Sequence, residues 1–351
     1  MIVAVGLIAL IAANDDDGEG ATRPPSSTTT VTASPEATAF QTQVDDAFKP
    51  LGDAIKVFLP RAQEFEAGKV TPADFKANVD LALPEFFKAR DAVAKIAPYQ
   101  PDPAVNRYFV DAAQLYVEVA RIYDVAVDPV SEPLRGQLTQ AARRLRTLGD
   151  RIYDRGRVVL DPTFYAPPSA DVELRPPTEV PDWVAEGMAA GPPLADPPGP
   201  AAEVPPIREA TCAEDVAPPC RKEESKKKWE GRVKDADLPQ PAEVARALDE
   251  ENAVRLGELA AAYESGTRTL RAAPDPKGNR ERAAVVALAL LTDGEAARLG
   301  QVASMLPPGE ARNRLLAVAR RTLVVGDGLL DPGLGLRPSG LPESLLQESG
   351  P

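Results

Sequence analysis

The chain has no histidine and little cysteine, methionine or tryptophan: its 351 residues include 2 Cys, 3 Met and 2 Trp. Histidine is the commonest general base near neutral pH and the commonest ligand of zinc. Its absence excludes Ser-His-Asp and Cys-His catalytic arrangements, Glu-x-x-His metal sites and His-ligated haem. The sequence also lacks phosphate-loop, dinucleotide-binding and EF-hand motifs. We therefore predict no catalytic residue, no metal site and no cofactor.

Acidic residues outnumber basic ones, 53 Asp+Glu against 40 Lys+Arg, which gives a net charge of −13. The excess lies mainly in two segments without helical periodicity: residues 1–35 have 4 acids and 1 base, and 166–240 have 15 and 9. Residues 36–165 have 19 and 17, and residues 241–351 have 15 and 13, so these parts are nearly neutral. A nucleic-acid-binding protein needs a basic folded face. We therefore predict no nucleic-acid partner.

The N-terminal residues predict export. Residues 1–13 (MIVAVGLIALIAA) have no polar side chain, and a bilayer-spanning helix needs about 20 apolar residues. Their length is typical of a signal-peptide core, although no Lys or Arg precedes them, so we expect a longer signal or anchor that begins upstream of Met1. The alternative is a buried element at a cytosolic terminus. Residues 14–39, rich in Ser, Thr and Pro, predict a disordered stalk.

Residues 40–165 predict a four-helix bundle, because apolar residues recur every three or four positions in four stretches. Pro50 and Pro60 are expected to kink or break the first helix, and Thr71-Pro72 is typical of a helix start. The third helix is apolar except for one polar stripe, which predicts that other helices enclose it. That stripe consists of Arg107, Asp111, Gln114, Glu118, Arg121 and Asp124.

Residues 166–240 contain 15 prolines in 75 positions, which predicts an irregular, partly polyproline linker. Cys212 and Cys220 are too far apart for a Cys-x-x-Cys site. Outside the cytoplasm we expect them to form a disulfide, with two free structural thiols as the alternative. Trp183 and Trp229 are expected in short helices that dock the indole on a bundle; the alternative is that they anchor the chain on a partner or a membrane.

Residues 241–332 return to a helical pattern and predict a second, smaller bundle. Of the chain's 16 Phe and Tyr residues, only Tyr263 lies here, so its core is built from Ala, Leu and Val. Thr292 to Glu295 has the pattern of a capping box, and residues 333–351 predict a disordered tail.

One segment of the first bundle resembles one of the second. Residues 144–162 align without gaps to residues 314–332, with seven identities in nineteen positions. The match has two explanations: internal duplication, or shared geometry, a last helix that contains glycine and ends before proline.

Arginines cluster on the last predicted helix of the first bundle, among only two acids, Asp150 and Asp154. They are Arg143, Arg144, Arg146, Arg151, Arg155 and Arg157. Guanidinium groups suit phosphate and carboxylate partners, so the cluster predicts a binding patch for an anionic envelope polymer or lipid. The alternative is pairing with acids on neighbouring helices.

The sequence thus predicts an all-α protein in which a four-helix bundle and a smaller helical bundle flank a Pro-rich linker. We expect a membrane-tethered or secreted binding protein of a bacterial cell envelope, not an enzyme, with an envelope protein or an anionic polymer or lipid as partner. One alternative is an envelope hydrolase that uses carboxylates, which would need an acidic cleft and a carboxyl group of raised pKa. Another is a structural spacer, which would lack any concave or exposed apolar patch.

Overall fold

The computed structural model describes residues 34–161, 223–224, 226–235, 238–272, 275–276 and 280–329. These residues form nine helices and one two-residue parallel pairing of β1 (Glu223–Glu224) with β2 (Asp275–Pro276). The helices are α1 Pro35–Glu66, α2 Pro72–Ala94, α3 Ala104–Ala126, α4 Glu132–Leu160, α5 Lys226–Asp235, α6 Pro241–Asp249, α7 Ala253–Ala272, α8 Arg280–Met305 and α9 Glu310–Leu329. The predicted all-α class, with two helical bundles, is confirmed.

All the described residues belong to one compact unit. Several predictions from the sequence lie outside the described residues. They concern the apolar N-terminal segment, the stalk as far as residue 33, most of the linker with Trp183, Cys212 and Cys220, and the tail.

Local capping explains where the first two helices begin. The backbone N–H of Ala37 donates to Ser34 Oγ at 3.0 Å, and the N–H of Asp74 donates to Thr71 Oγ1 at 3.2 Å. A proline follows each capping residue at the first helical turn, where no intrahelical donor is lost. The predicted helix start at Thr71-Pro72 is confirmed.

Helix α1 runs unbroken through Pro50 and Pro60, so the expected break does not occur. A proline inside a helix lowers stability by about 3 kcal/mol or more. Burial of one aromatic side chain contributes about 1.5–3 kcal/mol of stability. Phe58, between the two prolines, is 1% exposed. Its ring lies 5.7 Å from that of Phe75 and 5.4 Å from that of Tyr123. Burial of the apolar face of α1 therefore offsets the missing hydrogen bonds.

The two halves repeat one helix arrangement. In α1–α4, consecutive helices pack against each other and the first also packs on the last. Helices α6–α9 have these same contacts, with an additional one between α6 and α8. The matching segments 144–162 and 314–332 fall on the last helices, α4 and α9. Three half-buried positions of α3 also correspond to half-buried positions of α8 at a constant spacing of 177 residues. These pairs are Gln114 with Leu291, Arg121 with Arg298, and Asp124 with Gln301. The correspondence supports internal duplication.

The halves pack together through their last two helices. Helix α4 contacts α8, and α9 contacts α3, which is the pattern of an approximate twofold axis. One cluster of buried apolar residues extends through both halves. Trp229 on α5 belongs to this cluster and is 1% exposed. The prediction that its indole docks on the helices is confirmed.

The predicted capping box at Thr292 to Glu295 is wrong, because α8 continues from Arg280 to Met305. Thr292 lies inside the helix, where its Oγ1 donates to the carbonyl oxygen of Leu288 at 2.8 Å. Glu295 is 4% exposed and pairs with an arginine of the first half. The two polar side chains that suggested a helix start are therefore buried inside the protein.

Candidate functional site

Two arginines of the predicted binding patch form ion pairs within the protein. Arg144 donates from Nε and Nη2 to the two carboxylate oxygens of Glu295 at 2.7 and 3.0 Å. This bidentate pair joins α4 to α8. Arg143 donates from Nε to Glu66 Oε1 at 3.2 Å and also pairs through Nη2 with Oε2. At these two positions the structure favours the alternative of pairing with neighbouring helices.

The other four arginines of the patch do not form one open surface with them. Arg155 is 5% exposed, Arg151 and Arg157 are half-buried, and Arg146 Nε lies 3.8 Å from Asp150 Oδ2. An anion-binding role for these residues stays a prediction.

The polar stripe of α3 faces the second half of the protein. Glu118 is 0% exposed and accepts hydrogen bonds from Arg321 of α9 at 2.7 and 3.0 Å. It also accepts one from Arg121 at 2.8 Å. Arg314 of α9 pairs with Asp124 on the same stripe. Burial of the apolar faces of α3 was predictable, but no pattern in the sequence indicated that α9 would cover the charged stripe.

Burial raises the pKa of three carboxyl groups among the described residues, Asp111, Asp128 and Asp150. Burial raises the pKa of Asp111 to about 6, against the opposing charge of Arg107, whose Nε lies 3.3 Å from the carboxylate. Burial also raises the pKa of Asp150, whose carboxylate accepts a hydrogen bond from Tyr116. Within the described residues no group of three or more Asp, Glu or Cys is arranged to hold a metal ion.

A groove lies between α1 and α2 and is open to solvent. Its volume is about 520 Å³. Phe58 and Ala82, both buried, form its floor, while Val57 and Leu81 are 65% and 75% exposed. Its lining residues are Asp46, Lys49, Pro50, Asp53, Ala54, Val57, Phe58, Asn78, Leu81, Ala82, Glu85 and Lys88. The groove therefore combines an apolar floor with two protruding aliphatic side chains.

Charged side chains line both edges of this groove. On α1, Lys49 Nζ lies 2.7 Å from Asp53 Oδ2, and on α2, Lys88 Nζ lies 3.5 Å from Glu85 Oε2. The hydrogen bond from Lys49 lowers the pKa of Asp53. These four side chains are exposed, and exposed ion pairs contribute about 0–1 kcal/mol. They can therefore exchange partners with a bound molecule at little cost.

The groove was not predicted from the sequence, although the position of Leu81 indicated an additional contact. The buried stripe of α2 passes through Phe75, Val79, Ala82 and Phe86, and Leu81 lies outside this periodicity. An apolar residue on the polar face of an amphipathic helix indicates a second contact. Thus Leu81 was identifiable as an exception, whereas its proximity to α1 depended on tertiary packing.

No family model, curated protein or solved structure matches this chain. In the part of the chain that the structure describes, no helix is both long and apolar enough to cross a membrane.

Proposed function

We propose that the chain is a helical binding protein on the extracytoplasmic side of a bacterial cell envelope, and that the groove between α1 and α2 is its binding surface. The supporting observation is the exposure of Val57 and Leu81, 65% and 75%, beside a concave apolar floor. Adjoining exposed apolar side chains with a polar rim are typical of interaction sites.

This proposal is favoured over the two alternatives from the sequence. A structural spacer would have no concave apolar surface, and the groove is such a surface. A carboxylate hydrolase would need a carboxyl group of raised pKa in an open cleft. Asp111, Asp128 and Asp150 have raised pKa values, but none of them lines the groove. We therefore favour binding without catalysis.

A protein partner suits the groove better than an anionic polymer or lipid. Acids and bases alternate on its edges, so no single sign of charge dominates. Arg143 and Arg144, which the sequence offered for anion binding, are engaged with Glu66 and Glu295. An apolar surface with mixed charges at its rim is typical of protein interfaces.

Site-specific photo-cross-linking in cells tests the groove. A photoreactive amino acid replaces Leu81 in one strain and Val254 in another, because Val254 on α7 is 73% exposed but lies outside the groove. We expect a discrete adduct from position 81 and none from position 254. Adducts from neither position, or equal adducts from both, would contradict the proposed binding surface.

The proposed location rests on residues 1–13 and on the stalk that follows them. External protease added to intact cells should degrade the chain, and mass spectrometry without reduction should find Cys212 joined to Cys220. A disulfide that closes this loop should contribute roughly 2.5 kcal/mol. Protease-resistant chain in a cytosolic fraction, with two alkylatable thiols, would contradict the location while leaving the groove proposal open to its own test.

A further inference from the structure

We propose that the partner of the groove is a second copy of this chain, with the two α1–α2 layers packed face to face about a twofold axis parallel to the helices. This inference rests on the proposed function, because it names the occupant of the same groove. It follows from the register of the two helices and from the charges at their edges.

The register of α1 against α2 is fixed by aromatic stacking. The helices are antiparallel, and the rings of Phe65 and Phe75 stack with centroids 4.6 Å apart. Asp53 is 12 residues before Phe65, and Lys88 is 13 residues after Phe75. With a rise of about 1.5 Å per residue, Asp53 and Lys88 are therefore at nearly the same height on the two helices.

A twofold axis parallel to the helices leaves heights unchanged and places α1 of one copy against α2 of the other. Asp53 then faces Lys88 of the second copy, and the symmetry generates the same pair again. Val57 is 8 residues before Phe65 and Leu81 is 6 after Phe75, so these two exposed aliphatic side chains also meet across the axis. The face is thus complementary to itself in both charge and apolar contact.

The charges of the groove also argue against a strongly charged partner. The lining contains three acids and two bases. Electrostatic complementarity selects partners by opposing charge patterns. A nearly balanced pattern of both signs matches another copy of itself better than a polymer of one sign. The charged residues of this lining are Asp46, Lys49, Asp53, Glu85 and Lys88.

Charge reversal in the full-length chain tests this arrangement by sedimentation equilibrium over a concentration series. The wild-type chain should form dimers. Asp53→Lys alone places two like-charged pairs in the interface, as does Lys88→Asp alone, and each should raise the dimer Kd by roughly tenfold or more. The double variant Asp53→Lys/Lys88→Asp restores both pairs and should return the Kd to within about threefold of the wild type.

A matched control separates this effect from a change of overall charge. Glu258→Lys reverses an exposed acid on α7, outside the groove, and should leave the Kd unchanged; circular dichroism verifies that every variant is folded. A wild-type chain that is monomeric at all concentrations would overturn the inference, as would a double variant no better than the singles. A cross-link from position 81 to a different protein, or within one chain, would overturn this inference while leaving the groove as a contact surface.

Discussion

The substitution Arg144→Leu should destabilise the protein strongly, because it leaves the carboxylate of Glu295 buried without its bidentate partner. Glu295 is 5% exposed at its side chain, whereas Arg144 is 36% exposed. Removal of one member of a buried ion pair costs about 3–5 kcal/mol. Since water reaches part of the Arg144 site, we expect a loss of about 3 kcal/mol, at the lower end of this range.

Loss of a bidentate arginine from the other contact between the halves, that of α9 with α3, should cost less. Arg321→Leu removes one bidentate partner of Glu118, but Arg121 still donates to that carboxylate at 2.8 Å. We expect a loss of about 1–3 kcal/mol. The double variant Arg144→Leu/Glu295→Leu removes both charges of the other pair and should recover most of the stability that Arg144→Leu loses.

Urea denaturation followed by circular dichroism measures these free energies of unfolding. Arg320→Leu is the control, because Arg320 pairs at 3.0 Å with Asp249, whose side chain is 59% exposed; its expected cost is about 0–1 kcal/mol. The reasoning is refuted if Arg144→Leu costs no more than this control, or if removal of Glu295 as well gives no recovery.

Four further substitutions test the packing and the buried charge. Gly156→Ala should cost about 1–3 kcal/mol, because the new Cβ would lie 2.6 Å from the ring of Phe109, whereas Gly136→Ala, with no atom within 4 Å, should gain up to about 1 kcal/mol; equal midpoints in urea would contradict this. Burial raises the pKa of Asp111 to about 6, above its unfolded value, so the contribution of this carboxyl group to stability should fall as pH rises from about 4 to 6. Asp111→Asn should flatten that slope in a pH series of urea titrations, and an unchanged slope would count against the assignment. Trp229→Ala should cost about 3–5 kcal/mol in the same assay, and a loss below 1 kcal/mol would show that the indole is not a core residue.

Helical periodicity was sufficient to predict the fold class and much of the core. The seam on α4 shows this, since Leu138, Leu145 and Ile152 are all 0% exposed. Periodicity reports which face of a helix is apolar, because burial of that face drives packing. It also identified the enclosed α3, and the short match between α4 and α9 pointed to the repeated arrangement.

The sequence could not show which polar residues meet across the interface. Glu118 and Glu295 look like solvent-facing acids within their own helices, but each lies opposite an arginine that is about 150 to 200 residues away in the chain. The same limit applies to the groove, because Val57 and Leu81 become neighbours only when α1 and α2 pack. Contacts between distant segments depend on tertiary geometry, which local patterns do not encode.

Hydroxyl-radical footprinting of the full-length chain, in intact cells and as dilute purified protein, tests most directly whether the groove is a binding surface. Leu81 and Val254 are 75% and 73% exposed, so both should be labelled when the chain is alone, after normalisation to the unfolded chain. We predict that in cells the labelling of Leu81 falls several-fold while that of Val254 does not change. Equal labelling of Leu81 in the two samples would contradict the account.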